Sequence, residues 1–197
     1  AHGHADALSF QMFIEGMPVF VDPGTYNYHV PKKMRDDLRA TANHNTVCVD
    51  GANQAEILGP FLWGKRYECE EAEVQENEEG VYFEATIQNN GNLHKRKIRI
   101  SDRDIIKIEI CDDLELSKDT KKVEQIFMLG TECRWMEDAC INIGNHMLNI
   151  KSTAQIEKGT TCCATGYNNI SNTTKFKCSV SQITDSKVTI ITTIVID

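Results

Sequence analysis

No apolar run in this 197-residue chain approaches the roughly 18 residues of a membrane-spanning helix, so no helical membrane span is expected. A basic excess is missing too. Lys and Arg number 21 against 29 Asp and Glu, and the formal charge of −8 argues against nucleic acid as a partner, which calls for a basic face. There is no CxxC pair, and Cys162 and Cys163 are adjacent, so eight cysteines do not make a zinc ribbon. No compact HExxH motif, long amphipathic helix, internal repeat or low-complexity tract occurs. An initiator Met and a signal peptide are also lacking. The chain opens Ala1-His2-Gly3-His4 and is expected to be a processed or cloned piece, with any targeting signal of its parent upstream.

What the sequence does carry is period-2 alternation. Leu8, Phe10, Met12 and Ile14 alternate with Ser9, Gln11 and Phe13, and Glu15-Gly16 turns the chain into Pro18-Val19-Phe20-Val21, a β-hairpin. Segments 81–87 and 93–100, joined by Asn89-Asn90-Gly91-Asn92, give the clearest hairpin. Segments 105–110, 123–129, 147–150, 176–180 and 188–196 add strands, the last rich in Val, Ile and Thr. Between 31 and 42 the pattern breaks: Pro31, with Met34 and Leu38 at i, i+4, predicts a short helix or turn. The polar stretch 152–174 is expected to be loops or loosened structure. The expected fold is therefore all-β, a large antiparallel β-sandwich over residues 1–197, with at most a short helix near 31–42. Cys48, Cys69 and Cys111 lie in strand-like runs and read as small buried hydrophobes, so free thiols are favoured over a disulfide framework.

Four of the six histidines (His2, His4, His29 and His44) fall in the first 44 residues, with Asp6 and Asp22 among them. Asp22 follows the second strand of the first hairpin, and His44 precedes the strand at 46–49. Neighbouring strand ends can bring His4, Asp22 and His44 to one point, a donor set of imidazole nitrogen and carboxylate oxygen that suits Zn²⁺ or another divalent metal. The alternative is a capping His44 and an Asp22 that serves only the Pro23-Gly24 turn. Asp6 is expected to orient an imidazole rather than ligate. Tyr26, Tyr28 and His29 follow Asp22 and either line a cleft or pack locally. Arg39 either clamps a substrate carboxylate in bidentate fashion or pairs with Asp36 or Asp37. His94 and His146 read as surface residues.

Three blocks, in order and with matching rough spacing, resemble the heparinase II/III-like C-terminal domain. They are His2-Gly3-His4-Ala5-Asp6-Ala7-Leu8-Ser9-Phe10; Pro18-Val19-Phe20-Val21-Asp22-Pro23-Gly24-Thr25-Tyr26; and Arg39 with His44-Asn45-Thr46-Val47 and Val49-Asp50-Gly51. The blocks reach to about residue 51. The resemblance implies a lyase that cuts uronate-containing chains by β-elimination, built from an N-terminal α/α toroid and an antiparallel β super-sandwich. On that resemblance His4, Asp22 and His44 bind a structural zinc and His2 lines the catalytic cleft, while the main acid and base belong to the toroid, absent from this chain. Tyr26, Tyr28 and Arg39 become candidate substrate-binding residues. The implied partners are an acidic polysaccharide and the toroid, and the face left uncovered favours a homodimer. A periplasmic or secreted location is implied, with the cysteine load leaving a cytoplasmic one open.

The acidity is less awkward for such a substrate than the total suggests. Up to Arg66 there are six Lys and Arg against seven Asp and Glu, so most of the negative charge lies downstream of the histidine-bearing segments. From other function classes, a metal-stabilised carbohydrate-binding domain without catalysis and a hydrolase with an open metal position remain.

Overall fold

The computed structural model describes residues 3–70, 72–102 and 105–197. In chain order, β1 (Met12–Ile14) and β2 (Met17–Phe20) form the opening hairpin. A seven-residue helix α1 (Lys32–Leu38) and a 3-10 turn (Thr41–Asn43) lead to β3 (Val47–Val49). Two peripheral strands, β4 (Glu68–Cys69) and β5 (Glu73–Asn77), precede a meander of β6 (Gly80–Asn89), β7 (Asn92–Ser101) and β8 (Ile106–Glu115). Then come β9 (Lys122–Met128), β10 (Arg134–Trp135), β11 (Cys140–Ile143) and β12 (His146–Ser152). The long hairpin β13 (Gln155–Gly166) and β14 (Asn169–Ser181) is followed by β15 (Lys187–Ile196).

A nine-stranded sheet runs β10-β11-β12-β15-β8-β7-β6-β4, with β5 also on β6, and a four-stranded sheet runs β13-β14-β9-β3. All their pairings are antiparallel. The facing sides are apolar: Ile108, Ile110, Ile190 and Ile194 from the large sheet meet Val123, Phe127, Phe176 and Cys178 from the small one. Phe127 and Phe176 stack with ring centroids 4.5 Å apart, which locks the centre of the small sheet. The expected all-β sandwich is what forms, and the helix falls within the 31–42 window.

One buried polar group interrupts this core. Arg96 on β7 lies directly opposite Asp112 on β8, and both are fully buried. The guanidinium grips the carboxylate through Nε and Nη2, each at 2.8 Å, and Gln125 Nε2 adds a third donor at 2.7 Å. Burial alone would raise the Asp112 pKa. The Arg96 and His94 charges and hydrogen bonds outweigh it and hold the carboxyl well below the usual range. His94, expected at the surface, is instead buried with Nε2 2.7 Å from Asp112, because it points to the same sheet face as Arg96 two residues on.

Two further expectations change. Segment 152–174 is mostly β13 and the first half of β14, paired along nearly their whole lengths. Thr, Cys and Ile favour a pleated backbone, and β13 is an edge strand with few buried positions, so the alternation that marks a strand was muted there. All eight cysteines are free, yet Cys69 is exposed and Cys111 only half-buried. Cys69 sits on the short peripheral strand β4, both residues of which are exposed.

Candidate metal centre

Asp22 and His44 arrive together because their flanking segments both pack on β9. Val21 N–H donates to Met128 O at 3.0 Å, and β3 pairs with β9 from Val47 onward. His4 comes from the opening segment, which is held by Ala5 N–H donating to Arg39 O at 2.9 Å. The three side chains then converge: His4 Nδ1 lies 2.9 Å from His44 Nε2 and 3.5 Å from Asp22 Oδ2, and His44 Nε2 lies 3.2 Å from Asp22 Oδ2.

These separations suit a shared cation. Tetrahedral bonds of about 2.0–2.1 Å put donor atoms roughly 3.3 Å apart. The orientations suit it as well. His44 Nδ1 lies 2.8 Å from Ala40 O and so carries the proton, which leaves Nε2 a lone pair facing the cluster. Asp22 Oδ1 accepts Gly24 N–H at 2.7 Å, an Asx turn that leaves Oδ2 for the histidines. Burial works against ionised Asp22, but the facing His4 and His44 rings and the Gly24 N–H hold its carboxyl well below the usual range. Asp6, expected only to support an imidazole, offers a fourth donor atom: one ligand atom each from His4, Asp6, Asp22 and His44 lie within 4.8 Å of one another. The residues therefore fit a divalent metal with three or four protein ligands.

Three features hold the loops in this arrangement. Asn45, beside His44, donates to Phe10 O and Val21 O and accepts Met128 N–H, tying all three ligand-bearing segments to β9. Arg96 Nη1 reaches Leu8 O at 2.8 Å and Asn45 O at 2.5 Å, linking the His4 and His44 segments to the large sheet. The turn of the β13–β14 hairpin lies over the Asp22 loop. Ala164 N–H donates to Pro23 O at 2.7 Å, Asn168 N–H to Tyr26 O at 3.1 Å, and Asn27 bonds the Asn168 side chain. Gly24 is needed under that turn: its φ is +71°, and a Cβ there would meet Ala164 O at 2.8 Å.

The other sequence candidates separate. His2 lies outside the described residues. Tyr26 is half-buried at φ +65° in the Asp22 loop, and His29 is exposed with its N–H on Asn27 Oδ1. Tyr28 is exposed but packs locally, its ring 5.8 Å from that of Phe61. The bidentate clamp expected of Arg39 is not available. The residue is buried, with Nη1 on Pro60 O at 3.0 Å and Nη2 on Gly59 O and Asp36 Oδ1 at 2.7 Å, so the Asp36 pair is the alternative the fold selects. Sequence reasoning gave Asp6 a supporting place rather than a ligand's, and it missed Asn45 and Arg35. The Asp6 signal was its place two residues after His4; for the other two, only long-range packing reveals the role.

A family model described as "Heparinase II/III-like, C-terminal" matches residues 1–186. The chain belongs to this family. Its fold is similar to that of solved heparinases. A heparinase III gene product gives a TM-score of 0.72 at 19% identity, covering 98% of this chain and 30% of that one. Heparan sulfate lyase HepC from Pedobacter heparinus gives 0.69 at 14%, again covering 98% and 30%. Another structure titled heparinase III gives 0.69 at 14%, covering 97% and 29%. This heparinase II/III-like domain thus spans under a third of the length of the solved structures it matches. No curated protein sequence matches it.

Proposed function

We propose that this domain forms one wall of the cleft of a polysaccharide lyase that cleaves uronate-containing chains, glycosaminoglycan-like or exopolysaccharide, by β-elimination. The observation that carries the reading is the convergence of His4, Asp22 and His44, one from each family block, on a single point. The reaction removes the C5 proton of a uronate and expels the O4 leaving group, so it needs a carboxylate-stabilising site, a base and an acid. His2 is the candidate this chain contributes to that set. The remaining groups belong to an α/α toroid domain beside it. An exposed apolar cluster supports a covered face there: Leu58, Phe61 and Leu62 are 53%, 48% and 60% exposed, next to Tyr28.

Zinc is the metal the donor set suits best, and when bound it supplies a fixed positive charge joining three loops. His4, Asp22 and His44 hold it, Asp6 closes the set, and Asn45 and the β13–β14 turn keep the loops in register. With four protein donors such a site is structural: it shapes the cleft edge without activating water.

The test compares the parent protein with this domain alone on glucuronate-containing polysaccharides, following the ultraviolet absorbance of the unsaturated product. Activity of the parent, lost on His2→Ala substitution and absent from the isolated domain, is the expected result. A parent protein that binds such chains without forming unsaturated product would make the domain a carbohydrate-binding module instead.

A further inference from the structure

Between the two sheets lies a cavity that the metal cluster does not use. Its volume is about 180 Å³, and its walls come from β3 of the small sheet and from β6, β7 and β8 of the large one. The floor is a row in register. His94 of β7 lies opposite Ile87 of β6 and Leu114 of β8, so the three side chains stand abreast on one sheet face, and all are buried. Val47 lines the cavity from the other sheet, while Asp50, Asn90 and Ser117 form an exposed rim. Asp50 is the charged side chain there, and its Oδ1 accepts the Lys121 and Lys122 N–H groups at 3.0 and 2.8 Å.

One polar atom of the floor is unanswered. His94 Nε2 lies 2.7 Å from Asp112 Oδ1, and an ionised carboxylate only accepts, so Nε2 carries the proton. In the neutral ring Nδ1 then holds a lone pair. It has no protein partner among the described residues, and unlike Gln54 Oε1 it is not sealed from solvent. Because the ring lines the cavity and is otherwise buried in the sheet, that lone pair opens into the cavity.

Size and lining select the ligand. A cavity of about 150 Å³ lined by apolar side chains takes up benzene, so this one has room for a six-membered ring with a small substituent. An ammonium group would lose its hydration among Val47, Ile87 and Leu114, and a carboxylate would meet the Nδ1 lone pair and the Asp50 charge. A sugar would press most of its hydroxyls against the same three aliphatic side chains. A neutral apolar body carrying one donor meets none of these penalties. We propose that the cavity binds a small neutral aromatic of the phenol class, its ring between Val47 and the Ile87–Leu114 row and its O–H donating to His94 Nδ1. Asp112 fixes the imidazole for that contact, because it holds the His94 N–H while being held itself by the Arg96 guanidinium. The site stands apart from the lyase reading and uses none of His4, Asp22 or His44.

The test is a nuclear magnetic resonance titration of the 197-residue chain, prepared without chelators, at pH 8. Phenol is the probe. Toluene offers the same ring without the donor, and benzoate and glucose are the charged and polyhydroxyl controls. Phenol should shift the methyl signals of Val47, Ile87 and Leu114 and the nitrogen signal of His94 Nδ1. Toluene should shift the same methyls with about tenfold or more weaker affinity, because it leaves the acceptor unpaired, and benzoate and glucose should shift neither. A wild-type chain that binds toluene as tightly as phenol, takes up benzoate or glucose at these signals, or responds to none of the four overturns the proposal without reference to any variant's folding. So does a free chain whose His94 Nδ1 already carries a proton at pH 8. None of these results bears on whether the parent protein is a lyase, which the product assay decides separately.

Discussion

One hydrogen bond, from His44 to the Ala40 carbonyl, decides which ring nitrogen faces His4 and Asp22. That bond, the Asx turn at Asp22 and the close approach of His4 make a metal site out of residues otherwise separated by up to 40 positions. His4, Asp22 and His44 were legible beforehand because strand ends and family blocks mark them. Arg35 was not, since a helical arginine in the run Lys32-Lys33-Met34-Arg35 looks like a solvated face until the Pro60 carbonyl covers it. The cysteines offer a test at the same scale. Burial pushes the Cys48 and Cys133 thiols up to about 11, so both stay protonated and shielded near neutral pH. Iodoacetamide labelling of the native chain at pH 8, mapped by mass spectrometry, should therefore modify exposed Cys69 first and leave Cys48 unmodified until the protein unfolds. Early labelling of Cys48 would contradict its placement in β3.

At the scale of elements, the β13–β14 hairpin matters most to the site and was the hardest to read. Thr160, Thr161, Thr173 and Thr174 look like loop composition in sequence, but they pair across the hairpin as Thr160 with Thr174 and Thr161 with Thr173. Strand character there follows from cross-strand partners that local sequence does not display. Because the hairpin turn rests on the Asp22 loop, Gly24→Ala should strain both: the positive φ and the contact with Ala164 O together cost about 1–3 kcal/mol. Metal affinity should fall about 10- to 100-fold, as when groups that orient ligands are removed, and competition with a chromogenic chelator measures it. Unchanged affinity in a folded Gly24→Ala chain would show that the hairpin does not position Asp22.

At the scale of the whole molecule, alternation and turn residues were enough to anticipate a large sandwich, since burial on one face of each strand repeats down the chain. The polar centre of that sandwich was not legible, because an Arg and an Asp in alternating strands look solvent-facing until the second sheet covers them. Arg96–Asp112 joins the large sheet to the ligand-bearing segments through Leu8 O and Asn45 O, so it couples fold stability to the site. Asp112→Asn leaves a buried guanidinium without its carboxylate and should cost about 3–5 kcal/mol by urea unfolding at pH 7. The Asp112 pKa is depressed from its ordinary value of 3.8, so its contribution is fully present above that pH and is lost as pH falls toward the folded value. The gap between wild type and variant should accordingly hold steady down to about pH 5 and narrow below about pH 4. A gap that widens on acidification would reverse the sign and refute the ionised pair.

The central claim is that three loops close on one metal ion, and elemental analysis of the purified chain tests it most directly. Wild-type protein prepared without chelators should carry about one zinc per chain, and a His4→Ala/His44→Ala double variant that remains folded should carry none. Wild-type protein without metal, or a folded double variant that keeps it, would contradict the claim.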